Sequence, residues 1–382
     1  MGSRAIAISP DGKNAYAAAS KSDAIAIFAR SARTGKLVQP PGTGGCIAAK
    51  GAGGCAKAVG LDGPNSVAVS PDGRSVYATS RASNSLTVFR RNQKTGSLRQ
   101  LPAGFGCISG LPVPVCASGR ALVGPDVVVV SPDGKNVYVG SFFGNAVAVF
   151  NRDKVSGALA QAGGTTGCIA EAISGCAGGI ALGAVEGLVV TSTGVYTGSA
   201  LSNAVAVLTR DPATGILAQA TSGSGCIVGS PLSGCTTGFE VNGANAVAVS
   251  PGGEDVYVTS LLSNSVTSFS RTPATGNLAQ KLAPAGCLVW LRAVGCSFGQ
   301  ALSAPEGLAV ATGAIAVLER NESGEVAQMA GRAGCLAPKS VPGCTRATAL
   351  RGVSSVALSP DGRYLYSTSF GSNAVDIFRR NK

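Results

Sequence analysis

Residues Asn65–Gln100, NSVAVSPDGRSVYATSRASNSLTVFRRNQKTGSLRQ, hold four short β-rich runs parted by turn signals. "SVAVS", "SVYATS", "LTVFR" and "SLRQL" are rich in Val, Thr, Tyr and Leu, whereas "PDGR", "RASNS" and "NQKTG" supply the Asp, Asn and Gly that tight turns require. No stretch keeps a period of 3.6 residues, so helix is a poor alternative. The stretch reads as one small antiparallel sheet.

Copies of this unit begin near Arg4, Asn65, Asp126, Glu186, Asn245, Glu306 and Ser354. The serine of "SPDG", or its counterpart, falls at Ser9, Ser70, Ser131, Thr191, Ser250, Ala311 and Ser359, giving spacings of 61, 61, 60, 59, 61 and 48. Tandem four-stranded units at a fixed period predict an all-β, seven-bladed β-propeller, with residues 1–382 as a single domain. Two units depart from the pattern. The sixth, "GLAVATGAIAVLERNESGEVAQM", is short and lacks both "SPDG" and "YVTS", so blade 6 is expected to be atypical, with residues lost or remodelled near Ala311–Ala314. The seventh ends "NAVDIFRRNK" without an outer strand, and only Met1–Ser3 precede the first unit. Closure is therefore expected to rest on side-by-side packing of blades 1 and 7.

Twelve cysteines fall into six local pairs: Cys46 with Cys55, Cys107 with Cys116, Cys168 with Cys176, Cys226 with Cys235, Cys287 with Cys296, and Cys335 with Cys344. Zinc sites bring cysteines together as C-x2-C or add histidine, and this chain has no histidine. Six disulfides within short loops are the expectation, and with them an oxidising, extracytoplasmic setting, secreted or at the cell surface. No signal peptide is visible, "MGS" reads as an expression start in place of a removed leader, and no apolar run approaches the roughly 20 residues of a membrane span.

The net charge is +12 although charged residues are only 13% of the chain. The excess is spread by the repeat: Arg30, Arg91, Arg152, Arg210, Arg271, Arg320 and Arg380 each close a third strand. One arginine per unit argues for a repeated turn and against a nucleic-acid groove, which would carry a basic, aromatic-rich stripe. Tyr16, Tyr77, Tyr138, Tyr196, Tyr257 and Tyr366 recur at one strand position and read as packing between blades.

"VAVSPDGRSVYATS", "VVVVSPDGKNVYVGS" and "VAVSPGGEDVYVTS" resemble the YVTN-repeat propellers. "NAVAVFNRDKVSGALAQ" is similar to the lactonase-type branch, which includes 6-phosphogluconolactonase-like proteins. The resemblance implies the blade architecture over nearly the whole chain. It also implies histidine, arginine and glutamate at the channel mouth; the histidine cannot be carried over, because this chain has none, and the cysteine loops are foreign to the pattern.

Strand direction sorts the loops onto two faces. "SPDG" and "xTGxL" turns share one, and "SxSNA" turns and the cysteine loops share the other. On the second face Arg4, Asn65, Asp126, Glu186, Asn245, Glu306 and Ser354 occupy one register at the channel mouth. Two readings stay open: solvated polar caps, or a site for a ligand or a hard cation such as calcium. As a metal-dependent lactone hydrolase, Asp126, Glu186 and Glu306 with Asn65 and Asn245 would hold the ion, and Arg4 would steady an anionic substrate group. The other function class is a module binding a small molecule, glycan or protein on the loop-rich face. Phe142, Phe143, Leu201, Leu261, Leu262 and Phe370 at the turn tips, with Trp290, are either its apolar contact surface or residues covered by the cysteine loops. Without histidine there is no Ser-His-Asp or Cys-His arrangement.

Overall fold

The computed structural model describes residues 2–290, 293, 295–300, 302–303, 305, 310–311, 314–338 and 344–380. Seven blades stand around a channel. In blade 2 the inner strand Pro64–Val69 pairs antiparallel with the second, Ser75–Ser80, and that with the third, Ser85–Arg91. The second strands of blades 1–5 are buried at every residue. Flanked by a blade on each face, they read as unbroken runs of small and β-branched residues and not as alternation. In the "SPDG" turn, buried Ser70 donates its hydroxyl to Asp72 (2.6 Å) and accepts the Ser75 amide (3.0 Å), so the serine fixes the turn from inside.

The fourth strand differs from the simple expectation. In each of blades 1–5 it is split into two pieces, both antiparallel to the third strand; in blade 2 they are Leu98–Gln100 and Cys107–Ser109. A two-residue strand, Ala117–Ser118, then runs parallel to the second piece, giving a six-stranded sheet.

All six disulfides form between sequence neighbours, as the spacing predicts. Cys46 is bonded to Cys55, Cys107 to Cys116, Cys168 to Cys176, Cys226 to Cys235, Cys287 to Cys296, and Cys335 to Cys344. Each opens at the first residue of the second outer piece. Its closing cysteine (Cys55, Cys116, Cys176, Cys235, Cys296 or Cys344) directly precedes the added parallel strand. One expectation about these loops needs correction. The cysteine loop leaves from the mouth face, where the Gly110 amide bonds the Asn84 carbonyl (2.9 Å), and folds back along the outer edge. It is a clip on the sheet edge and not a cover over the mouth.

The repeated arginine ties neighbouring blades together. Arg91 donates through Nε to Tyr16 of blade 1 (2.7 Å), through its Nη atoms to the Gly73 carbonyl of its own turn (2.9 Å), and to Asp11 (3.0 Å). The Tyr16 hydroxyl in turn donates to the Gly96 carbonyl of blade 2 (2.8 Å). Arg30–Tyr366, Arg152–Tyr77, Arg210–Tyr138, Arg271–Tyr196 and Arg320–Tyr257 repeat the bond at 2.5–2.9 Å. The tyrosines are therefore hydrogen-bonded hubs as well as packing residues. Burial pushes the Tyr138 hydroxyl up to about 12 against the pull of Arg210. Burial also acts to raise Asp133, but Ser131, the Lys135 amide and Arg210 outweigh it and bring the carboxyl down to about 2. Between blades 6 and 7 the clasp is absent among the described residues: unit six has no tyrosine, and the guanidinium of exposed Arg380 bonds the Gly362 carbonyl of its own turn (3.0 Å).

On the mouth face a second tie recurs. Asp23, Asn84, Asn145, Asn203 and Asn373 sit at positive φ and accept, at 2.7–2.9 Å, the amide of Gly63, Gly124, Ala184, Gly243 and Gly2 in the next blade. The Asn373–Gly2 bond joins blade 7 to blade 1, as do Arg30–Tyr366 and the Ser354 hydroxyl on the Ser3 carbonyl (2.8 Å). Closure is side by side, and blade 7 has three strands among the described residues, Val353–Leu358, Tyr364–Ser369 and Ala374–Arg379. Blade 6 is irregular. Val310–Ala311 pairs with Ala314–Ala316, which pairs with Cys335–Ala337, and a separate hairpin joins Leu318–Arg320 to Val326–Gln328. The residues between Ala311 and Ala314 lie outside the described ones.

Candidate functional site at the channel mouth

Each inner strand of blades 1–5 and 7 carries a bulge at its second residue. The register slips between Ser3 and Ala5, Pro64 and Ser66, Pro125 and Val127, Val185 and Gly187, Ala244 and Ala246, and Val353 and Ser355. The skipped residues are Arg4, Asn65, Asp126, Glu186, Asn245 and Ser354. An extra residue without a ladder partner is turned out of the pleat, which is how a bulge re-aims a side chain. All six line one cavity of about 370 Å³. Glu306, the seventh position of this register, lies outside the described residues.

The cavity also takes in Arg81, Ser66, Ser355, Ala200 and Leu261. Arg81 lines the cavity although the sequence analysis does not single it out. Its position, three residues before Asn84, is also that of Phe142, Ala200, Leu261 and Phe370, so the signal lay in treating the tips as a second ring. The Arg81 guanidinium lies 4.4 Å from the Phe142 ring centroid and pairs with Asp126 (2.8 Å). Asp126 also accepts from the Asn65 amide (2.5 Å). At the blade 7–blade 1 seam Arg4 and Lys21 each lie 4.3 Å from the centre of the Phe370 ring. Asn245 is buried, and its amide oxygen accepts from the Thr259 hydroxyl (2.8 Å) and the Ala246 amide (3.0 Å).

The turn-tip residues separate into two groups. Phe142 and Phe370 are half-buried beneath the arginines, and Leu261 faces the cavity. Phe143, Leu201 and Leu262 project outward at 64–71% exposure, uncovered by the cysteine loops. Trp290 does not join them: it packs against the blade 5–6 core of Tyr257, Val266, Leu288 and Leu302.

Among the described residues this donor set does not fit calcium. The carboxylate best placed to bind it, Asp126, is neutralised by Arg81, the Asn245 oxygen is turned onto its own strand, and Arg4 adds positive charge. Among the described residues no three His, Cys, Asp or Glu side chains are gathered for a metal. Two guanidiniums suit an oxyanion such as a carboxylate or a phosphate. The amide of Asn65 and the hydroxyls of Ser66, Ser354 and Ser355 suit sugar hydroxyls.

The family model described as "Lactonase, 7-bladed beta-propeller" matches residues 54–118, which is blade 2 with its preceding connector and cysteine loop. No curated protein sequence matches the chain. A solved structure of a proposed 6-phosphogluconolactonase from Bacteroides fragilis is 14% identical and covers 94% of this chain and 86% of its own, with a TM-score of 0.59. A second, from Bacteroides uniformis, is 20% identical with coverages of 94% and 88% and a TM-score of 0.55. A functionally unknown protein from Desulfotomaculum acetoxidans is 11% identical, covers 99% and 90%, and has a TM-score of 0.51. At these identities the likeness is one of fold. The chain resembles the seven-bladed lactonase-type propellers, in sequence across blade 2 and in fold around the ring.

Proposed function

We propose that this protein is an extracytoplasmic propeller that binds a small, hydroxyl-rich anion, of the sugar-acid or sugar-phosphate class, at its channel mouth. The observation that carries the reading is the pair of arginines, Arg4 and Arg81, each held against an aromatic ring beside one polar cavity. An arginine braced on a ring and by a carboxylate is ordered before a ligand arrives, so less entropy is lost on binding. The six disulfides support the compartment, since such bridges persist where thiols are oxidised. Exposed Phe143, Leu201 and Leu262 would form an apolar rim for the ring faces of a sugar or for a protein partner.

Titration calorimetry with gluconate, 6-phosphogluconate and neutral glucose tests this. The two anions are expected to bind and glucose to bind far more weakly; equal weak heats for all three would contradict it.

A second reading, lactone hydrolysis, is favoured by the carboxylate of Glu186 in the same cavity as the arginines and by the fold likeness to proposed 6-phosphogluconolactonases. Water would add to the ring carbonyl while Glu186 takes its proton. An arginine would bear the oxyanion, and the ring C–O bond would break as Glu186 passes its proton to the leaving ring oxygen, giving a hydroxyl and a carboxylic acid that ionises to the carboxylate. A pH-stat assay on gluconolactone separates the two readings. Hydrolysis lost in Glu186→Gln with gluconate binding retained supports the enzyme; no hydrolysis above the spontaneous rate leaves binding alone.

A further inference from the structure

The two leading residues of each turn tip on the mouth face occupy different places. The first, Arg81, Phe142, Ala200, Leu261 or Phe370, lies toward the cavity or beneath an arginine. The second is Lys21, Ala82, Phe143, Leu201, Leu262 and Gly371 in blades 1–5 and 7. It lies over the connector entering its own blade: a Cβ on Gly124 would strike the Phe143 ring, and one on Gly243 the Leu262 side chain. Both glycines stand at positive φ, and their bare backbone gives the ring and the isobutyl group a fixed bed.

Around the ring this second position divides the mouth face in two. Blades 3, 4 and 5 present Phe143, Leu201 and Leu262 in unbroken succession, all exposed. Blades 7, 1 and 2 present Gly371, Lys21 and Ala82, and cations gather there. Arg4 and Lys21 share the Phe370 ring, and exposed Arg351 stands beside Gly371, its amide donating to the Ser372 hydroxyl (3.0 Å). The two arcs meet at Arg81: the Phe143 ring centre is 5.0 Å from that of Phe142 and 5.6 Å from the Arg81 guanidinium. On the apolar side the path is continuous from inside to outside. Ala200 and Leu261 line the cavity, and their chain neighbours Leu201 and Leu262 project from it. The polar residues on that wall are Glu186 and Asn245, and the Asn245 oxygen is turned onto its own strand.

We propose that the ligand of the mouth is an amphiphile, a hydroxyl-rich acid head carrying an alkyl or acyl chain. The inference rests on the anion-binding reading above and narrows its ligand class. The head sits on the arginine side. The chain leaves the cavity over Leu261 and lies along the arc of Phe143, Leu201 and Leu262. A sugar ring held by Arg4 and Arg81 lies within the cavity, so an attached chain is what extends to tips that project from it. Covering those exposed side chains with methylenes adds affinity without further polar contacts.

The probes are octyl glucuronide below its micelle concentration, glucuronate, which lacks the chain, and octyl glucoside, which lacks the charge. Titrated into the full chain, octyl glucuronide is expected to bind about tenfold or more tightly than glucuronate, a ratio that burial of a few methylenes supplies. Octyl glucoside is expected to bind far more weakly than octyl glucuronide. The ratio of the two acids should fall toward one in the double variant Leu201→Asn/Leu262→Asn. It should persist in Val155→Asn, which alters an exposed apolar residue of the turn face. Equal affinities of the two acids for the parent, or a ratio unchanged in the double variant, would overturn the amphiphile and leave the anion reading standing. No binding of either acid would overturn both. Octyl glucoside binding as tightly as octyl glucuronide would also overturn the proposal. So would sedimentation of the parent with phosphatidylglycerol vesicles, or its dimerisation, if abolished by the double variant, since the arc would then belong to a lipid surface or a second copy.

Discussion

On one face of the disc the same residues recur from blade to blade, whereas on the other a single register holds five residue types in six blades. The turn face repeats arginine, tyrosine and a glycine carbonyl at six interfaces, with inter-blade bonds of similar length. At the mouth, equivalent bulges present Arg4, Asn65, Asp126, Glu186, Asn245 and Ser354. Both sets stand at positions forced by the fold. Where packing alone decides, one solution serves six interfaces; where the channel opens, one register carries five residue types. The repeat thus provides its own internal control, separating residues that build the disc from residues that differ from blade to blade at its mouth.

Breaking the turn face should cost stability and leave the mouth intact. The largest effect is expected for Arg152→Ala, whose buried guanidinium serves Tyr77, Gly134 and Asp72. A loss of about 3 kcal/mol in chemical denaturation is expected, because partners remain buried without it. Arg380→Ala, at the unclasped seam, should change stability by less than about 0.5 kcal/mol. Equal losses for the two would refute the clasp as the source of cohesion. Replacing Cys107 and Cys116 with serine is expected to cost about 2–3 kcal/mol, from a closed loop of roughly 10 residues.

Tyr138→Phe removes one donor to Gly215 and one acceptor for Arg210, and should cost about 1–2 kcal/mol. The clasps also set an acid limit. Because the Asp133 carboxyl is held down at about 2, its contribution is complete above the ordinary aspartate value near 4 and fades as the pH falls toward 2. Asp376, on the open edge of blade 7, has the opposite sign. Burial lifts its carboxyl to about 6 despite bonds from Ser369 and Ser367, so its contribution is present below pH 4 and lost as the pH rises through 6. Asp376→Asn should stabilise the protein by roughly 1 kcal/mol at pH 8, a value reduced because the group is only half-buried, and do little at pH 4. Melting curves at the two pH values check it; an equal shift at both would contradict the assignment.

Blade number, the irregular sixth unit, the bare third strand of the seventh and the disulfide pairs were legible in the sequence. Each depends on signals a few residues apart, repeated at a fixed period. The clasp was half legible. Arg152 and Tyr77 stood out as recurrent, but they lie 75 residues apart in different units, and periodicity within a unit does not show that they meet. The bulge at each mouth residue was not legible, because a bulge is a property of two paired strands and no residue type marks it. Arg81 was missed for that reason: a turn tip faces the channel or the solvent according to how the bulged strand beside it bends. Calcium is a reading of residue types, and the Arg81–Asp126 pair that weighs against it joins two different units.

The central claim is that the variable face binds an anion through its arginines while the repeated face only holds the blades together. Titration of 6-phosphogluconate into the parent protein, Arg81→Ala and Tyr138→Phe tests it most directly, each variant being checked for folding by its thermal transition. The account predicts binding by the parent, affinity about tenfold or more weaker in Arg81→Ala with little loss of stability, and unchanged affinity in the less stable Tyr138→Phe. Affinity that follows stability across the three proteins, or that is unaffected by loss of Arg81, would contradict it.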